Sequence, residues 1–274
     1  MKNKPIGIFD SGVGGLTVAQ AVKQIMPGES LIYFGDTAHL PYGDKSEESI
    51  RYYSRRITEF LLELDVKAVL VACNSASASA YEYLLAEFGD KVILLDVIDP
   101  VVDWVSARNF RKIGVIGTKR TISSETYNMK LKQKSPATTV VSLAAPLLVP
   151  MIEEGFIYDD ISNAIIRTYL SNETLEGIDA LILACTHYPV IKNQISKFFN
   201  FGLEVVDSSR IVSLRLRNLL ETRQLVNDSG TSSDKFFISD YTAWFEKIAR
   251  MFFEGNINLQ KADIWSQSTP VQYK

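Results

Sequence analysis

The sequence predicts an α/β protein, built as two similar parallel-sheet α/β domains related by pseudo-symmetry, with an active site in the cleft between them. Three observations carry that expectation. Short β-branched runs alternate with amphipathic stretches of helical length, the pattern of a parallel sheet covered by helices on both faces. Segments of the first half recur in the same order about 110 residues later, a spacing close to the size of one domain. The only two cysteines of the chain fall at the same place in each copy, just after a buried-looking strand, where parallel sheets bind ligands.

Residues 6–9 read as the first strand, followed by a glycine loop and a helix over 16–26, where Leu16, Ala19, Val22 and Ile25 recur at helical spacing before Pro27. The same unit recurs as 31–34 with 46–64, 68–72 with 76–88, and 92–95 with 100–108. Ser46 before Glu47 and Glu48 is an ordinary helix start. In the second half, 113–117 echoes 6–10, the run ending in Ala184-Cys185-Thr186 echoes the one ending in Ala72-Cys73-Asn74, and 203–207 echoes 92–96. Residues 114–121 form another strand-to-helix turn, with the Thr118 and Thr121 hydroxyls beside a helix N-terminus. Further on, 235–239 reads as a strand and 241–253 as a helix, whose Trp244, Phe245, Ile248, Met251 and Phe252 form a core stripe or a subunit contact. The last stretch, 255–274, is expected to be a loosely held polar tail.

Composition narrows the function classes. With 274 residues and 46% hydrophobic content the chain is a packed globular protein. The balance of 29 Lys+Arg against 32 Asp+Glu gives a net charge of −3, so it carries no electrostatic footprint for nucleic acid or an anionic membrane surface. No apolar run is long enough to span a bilayer, and the N-terminal stretch lacks the form of an export signal. A cytoplasmic location is expected, with both cysteines as free thiols in a reducing compartment.

Four motifs hold chemistry-bearing residues. Phe9-Asp10-Ser11-Gly12-Val13-Gly14-Gly15-Leu16 places glycines between strand and helix, which suits backbone N–H groups approaching an anion. Its spacing is not that of a dinucleotide site, and a tight turn capped by Asp10 is equally compatible. Gly35 to Gly43, with Pro41-Tyr42-Gly43, makes a stiff loop of the kind that lines sites, though a structural turn bearing a surface histidine, His39, accounts for it too. Ala72-Cys73-Asn74-Ser75-Ala76 and Ala184-Cys185-Thr186-His187-Tyr188-Pro189 each set a thiol at a helix start, where the thiolate is favoured, beside amide and hydroxyl groups.

Three active readings of the thiols compete with simple core packing. Cys185 and His187 make a nucleophile and base, which leaves Cys73 without a role. Cys73, Cys185, His187 and Asp10 make a zinc set without a recognised ligand spacing. The third uses the symmetry: one thiol on each face of a substrate carbon, one removing a proton while the other supplies one, so that the product is the mirror image. A two-lobed binding protein is the non-enzymatic alternative.

Taken together, Phe9 to Leu16, Pro41-Tyr42-Gly43, Cys73-Asn74-Ser75 and Cys185-Thr186-His187-Tyr188-Pro189 resemble the glutamate racemases of the cofactor-independent aspartate/glutamate racemase family, over almost the whole chain. Two departures are small: Ser75 stands where threonine is more frequent, and His39 where arginine is frequent. The resemblance implies residues 1–97 plus 208–254 as a first domain, to which the C-terminal segment returns, and 98–207 as a second. It implies interconversion of L- and D-glutamate without a cofactor or metal, supplying D-glutamate for peptidoglycan, with aspartate racemase or another racemase of the family as the alternative. In that reading Cys73 is the base toward D-glutamate and Cys185 the base toward L-glutamate, assisted by Asp10 and His187 respectively. Asp10, Ser11, Pro41, Tyr42, Gly43, Asn74, Ser75, Thr118, Thr121, Thr186 and His187 hold the substrate, and Glu153 matches a family position near the site. The expected partners are the small-molecule substrate and a second copy in a homodimer, with no nucleic acid and no membrane.

Overall fold

In the computed structural model, which describes residues 1–227 and 232–266, the expected alternation resolves into two separate sheets, parallel throughout. The chain begins with β1 (Ile6–Asp10), α1 (Leu16–Ile25), β2 (Leu31–Gly35), α2 (Glu47–Glu63), β3 (Ala68–Val71), α3 (Asn74–Phe88) and β4 (Ile93–Asp96). It crosses through α4 (Asp99–Ser106) to β5 (Lys112–Gly117), α5 (Lys119–Ser123), α6 (Thr126–Lys134), β6 (Thr139–Ala144), α7 (Leu148–Glu153), α8 (Asp160–Leu170), β7 (Ala180–Ala184), α9 (Lys192–Phe198) and β8 (Glu204–Asp207). It then returns through α10 (Ser208–Thr222), β9 (Lys235–Ile238), α11 (Ala243–Phe252) and β10 (Leu259–Lys261).

Local chemistry explains the elements. Every residue of β1, β2, β3 and β7 is buried, as expected for strands covered on both faces. Helix α1 turns Leu16, Ala19 and Val22 toward the sheet, and α2 starts where the Ser46 hydroxyl accepts the Ser49 N–H at 3.2 Å. In α3 the buried residues are small in the N-terminal half, Ala76, Ser77 and Ala80 among them, and large toward the end, Tyr81, Leu84 and Phe88.

The strand orders are β10-β9-β2-β1-β3-β4 and β6-β5-β7-β8. Within them, 2-1-3-4 and 6-5-7-8 correspond strand for strand, so the repeat read in the sequence is a repeat of topology. Each order has a switch point, between β1 and β3 in one sheet and between β5 and β7 in the other. Successive connections leave these strand pairs in opposite directions and open a crevice at the carboxyl ends.

Two segments differ from the sequence reading. The counterpart of β2 in the second lobe, β6, went unread because an edge strand is half-exposed and its Thr-Val-Val-Ser sequence lacks a continuous apolar run. The stretch after 255 is no loose tail as far as residue 266. Leu259 to Lys261 pairs with β9, and Ile257, Leu259 and Ile264 are buried; their apolar side chains are too widely spaced among polar ones to signal a strand. Residues 267–274 of the expected tail lie outside the described residues. Of the aromatic stripe on α11, Ile248 and Phe252 are core, whereas Trp244 and Met251 face solvent. No helix among the described residues is long and apolar enough to cross a membrane.

Candidate active site

The two switch points face each other, and the chemistry-bearing residues sit at the ends of their strands. Asp10 ends β1 and Ser11 follows it, Cys73 to Ser75 follow β3, Thr118 follows β5, and Cys185 to His187 follow β7. Between them lies a cavity of ≈ 40 Å³, room for only a few water molecules. Ser11, Pro41, Tyr42, Gly43, Cys73, Asn74 and Ser75 line it from one lobe, and Thr118, Val149, Cys185, Thr186 and His187 from the other. Asp10, Thr121 and Glu153 stand behind this wall. Both cysteines are free and only 6% exposed.

The thiols differ in their surroundings. Cys73 occupies the N-cap position of α3, yet the expected depression by the helix end does not prevail. Burial, reinforced by the negative charge of Asp10, pushes its thiol up to about 12, against backbone N–H and Ser11 hydrogen bonding that act the other way. The Cys73 Sγ lies 3.7 Å from the Ser11 hydroxyl. Cys185, by contrast, is followed by a short 3-10 turn over Tyr188–Ile191, not by an α-helix, and its Sγ is 3.8 Å from His187 Nδ1.

The other ring nitrogen of His187, Nε2, donates to Glu153 Oε1 at 2.9 Å. Burial alone would lower the histidine, but Cys185 and Glu153 on its two nitrogens outweigh that and push it up to about 10. His187 is therefore an imidazolium at neutral pH, bracketed by a thiol sulfur and a carboxylate. Among the described residues no group of three or more His, Cys, Asp or Glu is placed to hold a metal ion.

The glycine loop serves a purpose other than the one its sequence suggested. Its N–H groups at Gly12, 3.0 Å from Asp10 Oδ2, and at Gly15 turn inward to the carboxylate of Asp10, so the anion it holds is the chain's own. Asp10 is fully buried, and burial raises its carboxyl while His187 and these hydrogen bonds oppose the rise. The Thr186 hydroxyl reaches it from the other lobe at 3.4 Å. Gly14 lies so close to His187 and Thr186 that a side chain there would overlap the imidazole. Thr17, the second residue of α1, has its hydroxyl 2.9 Å from the Thr186 carbonyl and 3.0 Å from that of Gly14. The loop and α1 thus cradle the Cys185–His187 segment.

Hydroxyls from both lobes meet on the opposite side. Ser75 lies 2.8 Å from Thr118 and 3.2 Å from Thr121, which are 3.1 Å from each other. The N-terminal ends of α3 and α5 point toward this cluster, adding positive potential on each side of the cleft. Asn74, which lines the cavity, accepts the Tyr127 hydroxyl on Oδ1 at 2.8 Å, while its buried Nδ2 has no partner among the described residues. Tyr42 lines the cavity with its ring only, because its hydroxyl donates to Asp36 Oδ2 at 2.7 Å. Gly43 abuts the second lobe: a Cβ there would stand 2.9 Å from Thr118 Cβ.

Sequence reasoning missed Val149 on the wall, Thr17, and Phe252, whose ring meets the imidazole edge-on at 5.4 Å, and it read Gly14 as part of an anion-binding loop where the structure sets it against His187. Phe252 belonged to a stripe read as core, and nothing in the sequence tells a core phenylalanine from one under a histidine. Val149 and Thr17 give no sequence signal at all.

A family model described as Asp/Glu/hydantoin racemase matches residues 16–213. The chain is 39% identical over 250 residues to the glutamate racemase of Chlorobaculum parvum, covering 90% of this chain and 92% of that one. Among solved structures, glutamate racemase from Francisella tularensis in complex with D-glutamate superimposes with a TM-score of 0.91 at 36% identity, over 97% of this chain and 100% of the other. Glutamate racemase from Thermus thermophilus, in complex with β-chloro-D-alanine, gives 0.87 at 34% identity, over 95% and 97%.

Proposed function

Because the chain belongs to the Asp/Glu/hydantoin racemase family, we propose that it interconverts L- and D-glutamate by a two-base mechanism in which Cys73 and Cys185 act from opposite faces of the α-carbon. The observation that carries this reading is the pair itself: two buried thiols, one at the switch point of each lobe, lining one small cavity. A hydrolase built on Cys185 and His187 alone would leave Cys73 in the same cavity without work.

The α-proton of an amino acid is weakly acidic, so its removal at neutral pH needs preorganised charge in a site that excludes water. The narrow cavity, with both thiols only 6% exposed, favours that exclusion. In the direction from L-glutamate, Cys185 takes the α-proton while the adjacent imidazolium offsets its charge, and Cys73, kept as a thiol by burial and Asp10, protonates the other face. In the reverse direction the roles exchange, and Asp10, itself raised toward protonation, assists Cys73. Ser11, the Asn74 amide, Ser75, Thr118 and Thr186, together with two helix N-termini, suit a substrate with two carboxylates. Pro41, Tyr42 and Gly43 supply a wall, and Thr121 and Glu153 orient the groups in front of them. The cavity is too small for an amino acid, so entry requires the lobes or the Pro41–Gly43 wall to part.

The product fits a supply of D-glutamate for peptidoglycan in the cytoplasm, with a homodimer as the working assembly. The deciding assay follows optical rotation and the α-proton of both enantiomers of glutamate and aspartate in deuterated water. Each glutamate enantiomer is expected to gain deuterium at Cα as it inverts; inversion without label would overturn the two-base reading, and turnover of aspartate alone would overturn the substrate.

Two further results are expected. A raised pKa means that His187 keeps its proton through neutral and mildly alkaline pH and loses it near 10, so turnover of L-glutamate should persist to about pH 9 and fall above about 10. His187→Gln should be slower throughout and lack that limb; a pH–rate profile of both proteins checks it. Asn74→Asp keeps the oxygen that Tyr127 needs but replaces the buried, unpartnered amide donor with an acceptor. KM for glutamate should rise by roughly tenfold or more in steady-state assays, with Tyr127 still held.

A further inference from the structure

Of the Gly35–Gly43 loop, the proposed function uses only its Pro41–Gly43 end, leaving Asp36 and His39 without an assigned role. Asp36 is fully buried at the carboxyl end of β2. Its carboxylate collects three side-chain donors: the Tyr42 hydroxyl on Oδ2 at 2.7 Å, the Ser239 hydroxyl on Oδ1 at 2.7 Å, and His39 Nδ1 at 2.9 and 3.0 Å from the two oxygens. Ser239 follows β9 and also accepts the Ala38 N–H at 2.8 Å. The loop that walls the cavity is thus tied to the returning C-terminal part of the chain through the Asp36 carboxylate, beside the Ala38–Ser239 bond and a reciprocal pair between Thr37 and Asp240.

His39 is itself held by aromatic rings from two other segments. Its imidazole stacks on Tyr53 of α2, with centroids 4.2 Å apart and planes at 19°, and meets the edge of Trp265 at 4.6 Å and 82°. Trp265 also packs edge-on against Tyr53 at 5.6 Å, and the carbonyl of the preceding Ile264 accepts from the Arg56 guanidinium at 3.1 Å. The C-terminal segment after β10 therefore covers the histidine that faces Asp36, and Asp36 faces the tyrosine in the cavity wall.

We propose that His39 is a positioning residue for substrate binding: acting through Asp36 it fixes Tyr42 and the Pro41–Gly43 wall, and Trp265 extends that control to the C-terminal segment. The proposal rests on the racemase reading. Its physical basis is that a buried carboxylate demands its donors. Without the His39 N–H, the Asp36 carboxylate must be satisfied by rearrangement around Tyr42 and Ser239, and the wall shifts with it. Neither Asp36 nor His39 lines the cavity, so the effect falls on substrate affinity, with the proton-transfer groups left in place.

The test measures kcat, KM and thermal midpoint for wild type, His39→Ala, His39→Gln, His39→Arg, Trp265→Ala and the double variant His39→Ala/Trp265→Ala, with both glutamate enantiomers. His39→Ala is expected to raise KM about tenfold for both enantiomers and to change kcat by less than about threefold. Gln or Arg, which restore an N–H donor toward Asp36, should recover most of the loss. Trp265→Ala should raise KM in the same sense, and the double variant should be no worse than the worse single, since both act through one element. A fall in thermal midpoint with KM unchanged in His39→Ala, failure of both Gln and Arg to rescue, or additive effects in the double variant would overturn the proposal. Wild-type turnover of glutamate is measured in the same series, so failure of the racemase reading itself would be seen there and not be mistaken for failure of this one.

Discussion

Cys73→Ala and Cys185→Ala are each expected to abolish racemisation, by at least about 10³-fold, while leaving the fold intact. Alanine removes one sulfur from a site next to an existing cavity, so the structural cost is small compared with the loss of a reacting group. The two variants should also differ from each other. With Cys73 gone, Cys185 can still remove and return the α-proton of L-glutamate, so that substrate should exchange deuterium without inverting. With Cys185 gone, the exchange should pass to D-glutamate. Proton NMR at Cα together with a chiral assay reads both results, and near-wild-type turnover by either variant would refute the mechanism.

The second large effect comes from a residue with no reactive atom. Gly14→Ala should lower kcat by about 100-fold or more and destabilise the protein by about 1–3 kcal/mol. A methyl at this position overlaps the His187 ring and stands 2.7 Å from the Thr186 hydroxyl, so either α1 or the Cys185–His187 segment must move. Since Thr17 ties the same segment to α1, there is little freedom to yield. Gly12→Ala is the matched control. Its added methyl would meet only Leu40 Cδ2, at 3.6 Å, and near-normal activity is expected. Normal kcat for Gly14→Ala would mean that the α1 loop does not set the position of His187.

Much of the architecture was legible because parallel strands buried on both faces must be apolar along their length, and that pattern survives in one dimension. The strands at the two switch points, β1, β3, β5 and β7, were all read from the sequence, and they are the strands that carry or lead into Asp10, Cys73, Thr118 and Cys185. Two of the four edge strands, β6 and β10, were not legible, whereas β4 and β8 were. No residue of β6 is fully buried and only Leu259 of β10 is, so polar residues interrupt the apolar signal. The same logic applies to the site. Side chains that must be of one chemical type, the thiols, His187 and Asp10, stand out by kind and by place in the repeat. Those that act by filling or vacating space, such as Gly14, Val149 and Phe252, are chemically ordinary.

The sequence by itself determined that two α/β units would each present a thiol at the carboxyl end of a strand, because buried strands, glycine turns and helix starts are local features with local causes. Only the tertiary structure decided how the two thiols differ. Cys73 is kept protonated by burial and by the charge of Asp10, whereas Cys185 stands beside a histidine made cationic by Glu153, from α7, as well as by Cys185 itself. Those are effects of distance and exclusion of water between groups far apart in the chain, and no linear pattern records them. The repeat makes the two lobes alike, and the asymmetry of their neighbours gives the two thiols different surroundings.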